Sequence, residues 1–125
     1  MLDSGMAVPT IAVSDLGRAR KFYEETLGLK FMDESPGGIR FQAGQGTWVF
    51  VYPSQYAGTN QATCMSFEVD DLPATVKELR DRGITFEEYD FPGLKTVDGI
   101  ADMGEEKGAW FKDLDGNILA IGSRT

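Results

Sequence analysis

Apolar positions along this chain switch between a period of two and a helical period, and they do so twice in the same order. Val8 to Val13, V-P-T-I-A-V, is a β-branched run that reads as a strand, with Pro9 at its start or on an edge. Ser14 and Asp15 supply helix N-cap side chains, and Leu16, Ala19, Phe22 or Tyr23, and Leu27 follow at helical spacing. Gly28 stands where a left-handed C-cap residue belongs. Leu29 to Met32 reads as a strand and Asp33 to Gly38 as a turn. Ile39 to Ala43 and Thr47 to Tyr52 then read as strands joined at Gly44-Gln45-Gly46.

Pro53 to Thr63 is polar and turn-rich, a linker by composition. After it the pattern returns. Cys64 to Val69 is a strand, Asp71 caps a helix with Pro73 in its first turn, and Leu72, Val76 and Leu79 mark the buried stripe. Gly83 ends that helix, Ile84 to Phe91 is expected as a strand, and Gly108 to Gly122 reads as strand, tight turn, strand. Val13-Ser14-Asp15-Leu16 overlays Val69-Asp70-Asp71-Leu72, and Gly38 to Tyr52 overlays Gly108 to Gly122 without a gap. The chain is therefore an internal repeat: module one spans about 6–52, the linker 53–63 and module two about 64–123 of a single domain, 1–125. The second module carries an insertion, Pro92 to Lys107, whose Leu94, Val97, Ile100 and Met103 must dock on something. A lid, an added strand through Lys95 to Ile100, or a dimer arm would each satisfy it.

Composition narrows the partners. A hydrophobic share of 42% and a charged share of 26% are ordinary for a globular domain, and no apolar run reaches membrane-spanning length. Met1 to Gly5 carries no secretory pattern and reads as an untethered lead. Cys64 is the only cysteine, so no internal disulfide forms and the cytoplasm is the default compartment. Twenty acidic against 12 basic residues give a net charge of −8, which argues against nucleic acid and favours neutral or cationic ligands over anionic ones.

The tandem β-α-β-β-β repeat resembles the vicinal oxygen chelate superfamily, the group of glyoxalase I, extradiol dioxygenases, methylmalonyl-CoA epimerase, fosfomycin-resistance transferases and bleomycin-binding proteins. The residues that carry the likeness are Val13-Ser14-Asp15-Leu16 followed by Lys21-Phe22-Tyr23 and Leu27-Gly28-Leu29, then Val69-Asp70-Asp71-Leu72 and Asp113-Leu114-Asp115-Gly116-Asn117, with Leu114 where proline is usual. The resemblance implies an α+β fold. It further implies that tandem βαβββ modules form a curved mixed sheet, an open cup with helices on the outer face, and that the protein is a homodimer.

It also implies a divalent metal on four side chains from the first and last strands of each module. Those positions are Val8, Phe50, Cys64 and Ala120 here. Three carry only carbon, and the chain has no histidine, so neither a metal site nor any other cofactor is expected. Cys64 as a nucleophile lacks a neighbouring base or cation and reads better as a structural thiol. Scattered carboxylates such as Glu87, Glu88 and Asp102 read as solvated charge. No catalytic residue is assigned.

What remains for the cup is aromatic. Trp48, Phe50 and Tyr52 share one face of a strand, Trp110 falls where Arg40 stands in the first module, and Cys64 and Glu68 share the inward parity of theirs. These seven residues form the expected ligand wall, with Arg40 as a polar anchor or as half of a salt bridge. Such a wall suits a neutral or cationic, aromatic small molecule held without catalysis. The alternatives are a glyoxalase-like lyase, isomerase or dioxygenase with displaced ligands or none, using Glu68 and Arg40, and an interaction module whose cup is filled by its own side chains.

Overall fold

The computed structural model describes residues 1–123. They fall into two compact units, Met1–Gly58 and the residues from Thr59 onward, each an α+β layer of one mixed sheet and one main helix. No helix among the described residues is long and apolar enough to cross a membrane.

The first unit runs β1 (Thr10–Val13), α1 (Leu16–Lys21), β2 (Lys30–Ser35), β3 (Gly38–Gln42) and β4 (Trp48–Pro53), in sheet order β1-β4-β3-β2. β1 lies parallel to β4, and the other neighbours are antiparallel. Asp15 caps α1 by accepting the Arg18 amide at 3.0 Å, an interaction worth about 1 kcal/mol. Beyond Lys21 the helix widens by one residue per turn, and the Leu27 amide reaches the Phe22 carbonyl at 3.0 Å. Phe22 and Tyr23, at the start of this wider turn, are both buried in the core. Ile11, Val13, Ile39, Phe41, Val49 and Val51 form the rest of it, all at most 2% exposed.

One expectation for this unit is corrected. Asp33 to Ser35 continue β2 rather than forming a turn, which contracts to Pro36-Gly37. A bulge between Phe31 and Asp33 makes this possible. Phe31 pairs with core Phe41, and after the bulge Asp33 pairs with Arg40, so the slip moves Asp33 to the opposite face of the sheet.

The second unit runs β5 (Thr63–Glu68), α2 (Leu72–Asp81), β6 (Asp90–Phe91), β7 (Leu94–Val97), β8 (Ile100–Asp102), β9 (Lys107–Lys112) and β10 (Ile118–Ser123), in the order β5-β10-β9-β8-β7-β6. Asp71 caps α2 through the Ala74 amide at 3.0 Å, the counterpart of Asp15. Leu72, Val76 and Leu79 are buried, as are Met65, Phe86, Phe111, Leu119 and Ile121.

Here the strand expected over Ile84 to Phe91 is not formed. Phe86 makes one isolated bridge to Phe111, and only Asp90–Phe91 is regular strand. The place beside β9 is taken by β8, through Ala101 opposite Gly108. In place of the one added strand expected through Lys95 to Ile100, the insertion supplies two strands, β7 and β8, joined by Asp98-Gly99, both with positive φ. That is the turn whose twist matches an antiparallel pair. Glu88 secures the junction, its Oε1 accepting from Thr96 Oγ1 at 2.6 Å and from the Gly99 amide at 2.8 Å.

Candidate functional site

In the first unit, strand alternation brings Trp48, Phe50 and Tyr52 to the face away from α1, half-buried, while Val49 and Val51 enter the core. Arg40 stands opposite Phe50. Its guanidinium grips Asp33 with two of its three nitrogens, Nε to Oδ1 at 2.8 Å and Nη2 to Oδ2, and lies 5.2 Å from the Trp48 ring centre. The hydrogen bond from Arg40 holds the Asp33 carboxyl below its usual range, and Asp33 raises Arg40 in return. Trp48 donates its indole N–H to the sulfur of Met6, the residue that follows the Met1–Gly5 lead, at 3.0 Å. Phe50 and Tyr52 are parallel, with ring centres 6.3 Å apart. On this face the cation, the carboxylate and the indole N–H already have partners within the unit.

The second unit is arranged differently. Across β5, β10 and β9 the register sets Ser66, Ala120 and Trp110 in one row and Glu68, Gly122 and Gly108 in the next. A concavity of about 540 Å³ opens over these rows, its walls including Ser66, Glu68, Met103, Glu106, Lys107 and Trp110. Trp110 is half-buried and meets the Tyr89 ring edge-on, centres 5.6 Å apart at 76°. Tyr89 in turn stacks on Phe91 at 5.5 Å. Burial, and then the Glu87 charge, push the Tyr89 phenol upward, so it stays protonated at neutral pH. Two carboxylates against one lysine give the concavity a negative lean.

Of the residues expected from sequence, Trp110, Glu68 and Ala120 come together here, and Trp48, Phe50, Tyr52 and Arg40 come together in the first unit. Cys64 does neither. The parallel register slips at this position, Thr63 pairing with Ile118 and Met65 with Leu119. The thiol donates to the Ile118 carbonyl at 3.4 Å. Burial first, and the Asp113 charge second, raise its pKa, which disfavours the thiolate a nucleophile or metal ligand needs. Val8 is a half-buried hydrocarbon ahead of β1. Val8, Phe50, Cys64 and Ala120 therefore do not fit a divalent metal: three have no donor atom and the fourth is a protonated thiol. Among the described residues, no three His, Cys, Asp or Glu side chains are grouped so as to hold a metal ion.

Sequence reasoning missed Tyr89, Met103, Glu106 and Lys107. For Tyr89 a signal existed. Counting by twos from core Phe86 puts Glu87, Tyr89 and Phe91 on the opposite parity. The other three sit on the turn into β9 and on its first residue, whose course depends on the unforeseen β8.

A sequence model described as the Glyoxalase/Bleomycin resistance protein/Dioxygenase superfamily matches residues 5–121. No match is found among curated proteins. Among solved structures, the chain is similar to the glyoxalase family protein from Enterococcus faecalis, with 19% identity, a TM-score of 0.73, and 98% of this chain and 99% of that chain covered. It is similar to the genomically encoded fosfomycin resistance protein FosX from Listeria monocytogenes, with 14% identity, a TM-score of 0.72, and 98% and 94% covered. It is also similar to TnmS3, an antibiotic binding protein from Streptomyces sp. CB03234, with 22% identity, a TM-score of 0.65, and 98% of each chain covered. At these identities the likeness carries the fold.

Proposed function

The chain belongs to the Glyoxalase/Bleomycin resistance protein/Dioxygenase superfamily, and we propose that within it this protein binds a flat aromatic small molecule, neutral or cationic, without transforming it. The observation that carries this reading is the concavity of the second unit, about 540 Å³, with Trp110 on its wall and Glu68 and Glu106 beside it. That volume is of the size drug-like ligands occupy. An indole braced by Tyr89 offers a rigid π-face, and the neighbouring carboxylates favour positive charge over it. The likeness to an antibiotic binding protein supports the class of function. The pairing of the Arg40 guanidinium with Asp33 supports binding over the enzymatic alternative that would use Arg40. A homodimer, implied by the resemblance, is part of this reading.

The test compares N-methylquinolinium, neutral quinoline and a quinoline carboxylate by calorimetry and by the indole N–H signals, of which the chain has two. The cation is expected to bind most tightly and the anion least, with the Trp110 signal moving. Trp110→Ala should weaken binding about tenfold or more, the effect of losing a good aromatic contact. Movement of the Trp48 signal alone would remove the site from the second unit, and binding of none of the three would sink the reading.

A further inference from the structure

We infer that Gly108 is the positioning residue for Trp110: the absence of a side chain there lets the indole lie along β9, and this flat placement gives the concavity its shape and its preference for flat ligands. The inference deepens the proposed function and rests on it for the ligand.

Gly108 stands inside β9 with no left-handed backbone. A glycine in a strand interior packs nothing and is destabilising for its entropy, so its presence needs a reason other than conformation. The surroundings supply one. A Cβ built at Gly108 would lie 3.1 Å from Trp110 Cη2, 3.6 Å from Trp110 Cζ2 and 3.4 Å from Met103 Cε. The six-membered ring of the indole and the methionine methyl therefore occupy the space a side chain would fill. The first contact is tighter than most carbon contacts, so a methyl group there requires the ring to give by a few tenths of an ångström.

Gly122, paired with Gly108 across the strands, differs in this respect. A Cβ there would meet only the Lys107 carbonyl oxygen, at 3.7 Å, an ordinary contact. Of two small residues facing each other in one row, only Gly108 is coupled to the tryptophan. The neighbour on the other side is Ala101, so nothing larger than a methyl rises from β10, β9 or β8 at this level, and Trp110 is free to lie down over it.

The experiment uses the full chain, with Gly108→Ala, Gly122→Ala, Trp110→Phe and the double variant Gly108→Ala/Trp110→Phe. In the ligand-free protein, Gly108→Ala should shift both the Trp110 indole N–H and the Met103 methyl signals, and Gly122→Ala should leave the indole signal in place. N-methylquinolinium should bind about five- to tenfold more weakly to Gly108→Ala. Phenylalanine lacks the outer ring atoms that the new methyl meets, so Gly108→Ala should cost less than about twofold on the Trp110→Phe background, the non-additivity expected of two residues acting as one. Unmoved indole and methyl signals would overturn the positioning role, as would equal losses on both backgrounds. Displaced signals together with no binding of N-methylquinolinium to any variant or to the parent would leave the positioning intact and overturn the ligand reading beneath it.

Discussion

The turn between β3 and β4 runs Ala43-Gly44-Gln45-Gly46-Thr47, and its repeat between β9 and β10 runs Asp113-Leu114-Asp115-Gly116-Asn117. Both close the same backbone ring. The Ala43 amide reaches the Thr47 carbonyl at 2.9 Å, and the Asp113 amide reaches the Asn117 carbonyl at 3.0 Å. The side chains differ. In the second unit the buried Asp113 carboxylate collects the Asp115 amide, the Asn117 amide and the Asn117 side-chain amide, at 3.0, 2.9 and 2.8 Å. In the first unit the residue at that place is Ala43, and Gln45 sits at φ 56°, ψ 38°, a left-handed conformation that costs a residue with a Cβ. The glycines that open the hairpins differ in the same spirit. Gly38 is required by the backbone, Gly108 by a neighbouring ring. A repeat thus conserves its hydrogen-bonded frame while each copy solves the local sterics with different atoms.

The sharpest break in this comparison is Gly38→Ala against Gly108→Ala. A Cβ at Gly38 would stand 2.3 Å from the Val51 carbonyl oxygen and 2.8 Å from Phe50 Cζ, at a φ of +152°. Backbone strain and overpacking add, and a loss of about 3 kcal/mol or more is expected in urea denaturation. Gly108→Ala meets only movable side-chain ends and should stay within about 1 kcal/mol of the parent. Equal losses would mean the two glycines do the same work and would remove the contrast.

The turns give the next largest difference. Asp113→Ala removes the acceptor shared by the Asp115 amide and both Asn117 amides, in a site where Asn117 is only 5% exposed, and a loss of about 2 kcal/mol is expected from the lost charge-assisted bonds. Gln45→Gly should stabilise slightly, by less than about 1 kcal/mol, since glycine relieves the left-handed residue but is more flexible when unfolded. Urea titration of both variants checks the pair. A neutral Asp113→Ala would show that the backbone ring suffices in both units.

The hairpins, both helix caps and the core parity were readable because each rests on contacts within about a dozen residues. Asp15 and Asp71 announce their helices locally, and Ile11, Val49, Phe111 and Leu119 follow from alternation alone. The error over Ile84 to Phe91 has a different origin. Alternation marks an extended segment but not its partner, and the competitor for β9 was built by the insertion. Its two turns were written plainly. Phe91-Pro92-Gly93-Leu94 and Val97-Asp98-Gly99-Ile100 are both hairpin signals, the second among the strongest short-range ones. The site suffered from the same gap. Trp110 and Glu68 were placed by parity, whereas Met103, Glu106 and Lys107 reach the concavity only because β8 pairs with β9. The bulge at β2 that turns Asp33 toward Arg40 left no mark in composition, since a single slipped residue looks like any other polar position.

The smallest expected difference lies in how the two units depress a carboxylate. Asp33 is lowered by the hydrogen bond from cationic Arg40, with the attraction of the two charges adding to it. Glu88 is lowered first by neutral donors, Thr96 Oγ1 and then the Gly99 amide, with the Arg80 charge the weakest of its stabilising causes. Both pKa values fall below the ordinary 3.8 and 4.5 on folding. Each group therefore contributes stability that is fully present above its unfolded value and is lost as pH falls through the folded one, at and below about pH 4. Both carboxylates are exposed, so the amounts are small. They separate by salt. In urea titrations from pH 6 to pH 3, Asp33→Asn should flatten the acid limb at low ionic strength and do little at 1 M salt, where charge pairing is screened. Glu88→Gln should flatten it nearly as much at 1 M as at low salt, because hydrogen bonds from an amide and a hydroxyl carry no net charge to screen. A Glu88 contribution that vanishes in salt would instead assign it to Arg80, and the two units would then hold their carboxylates by the same means.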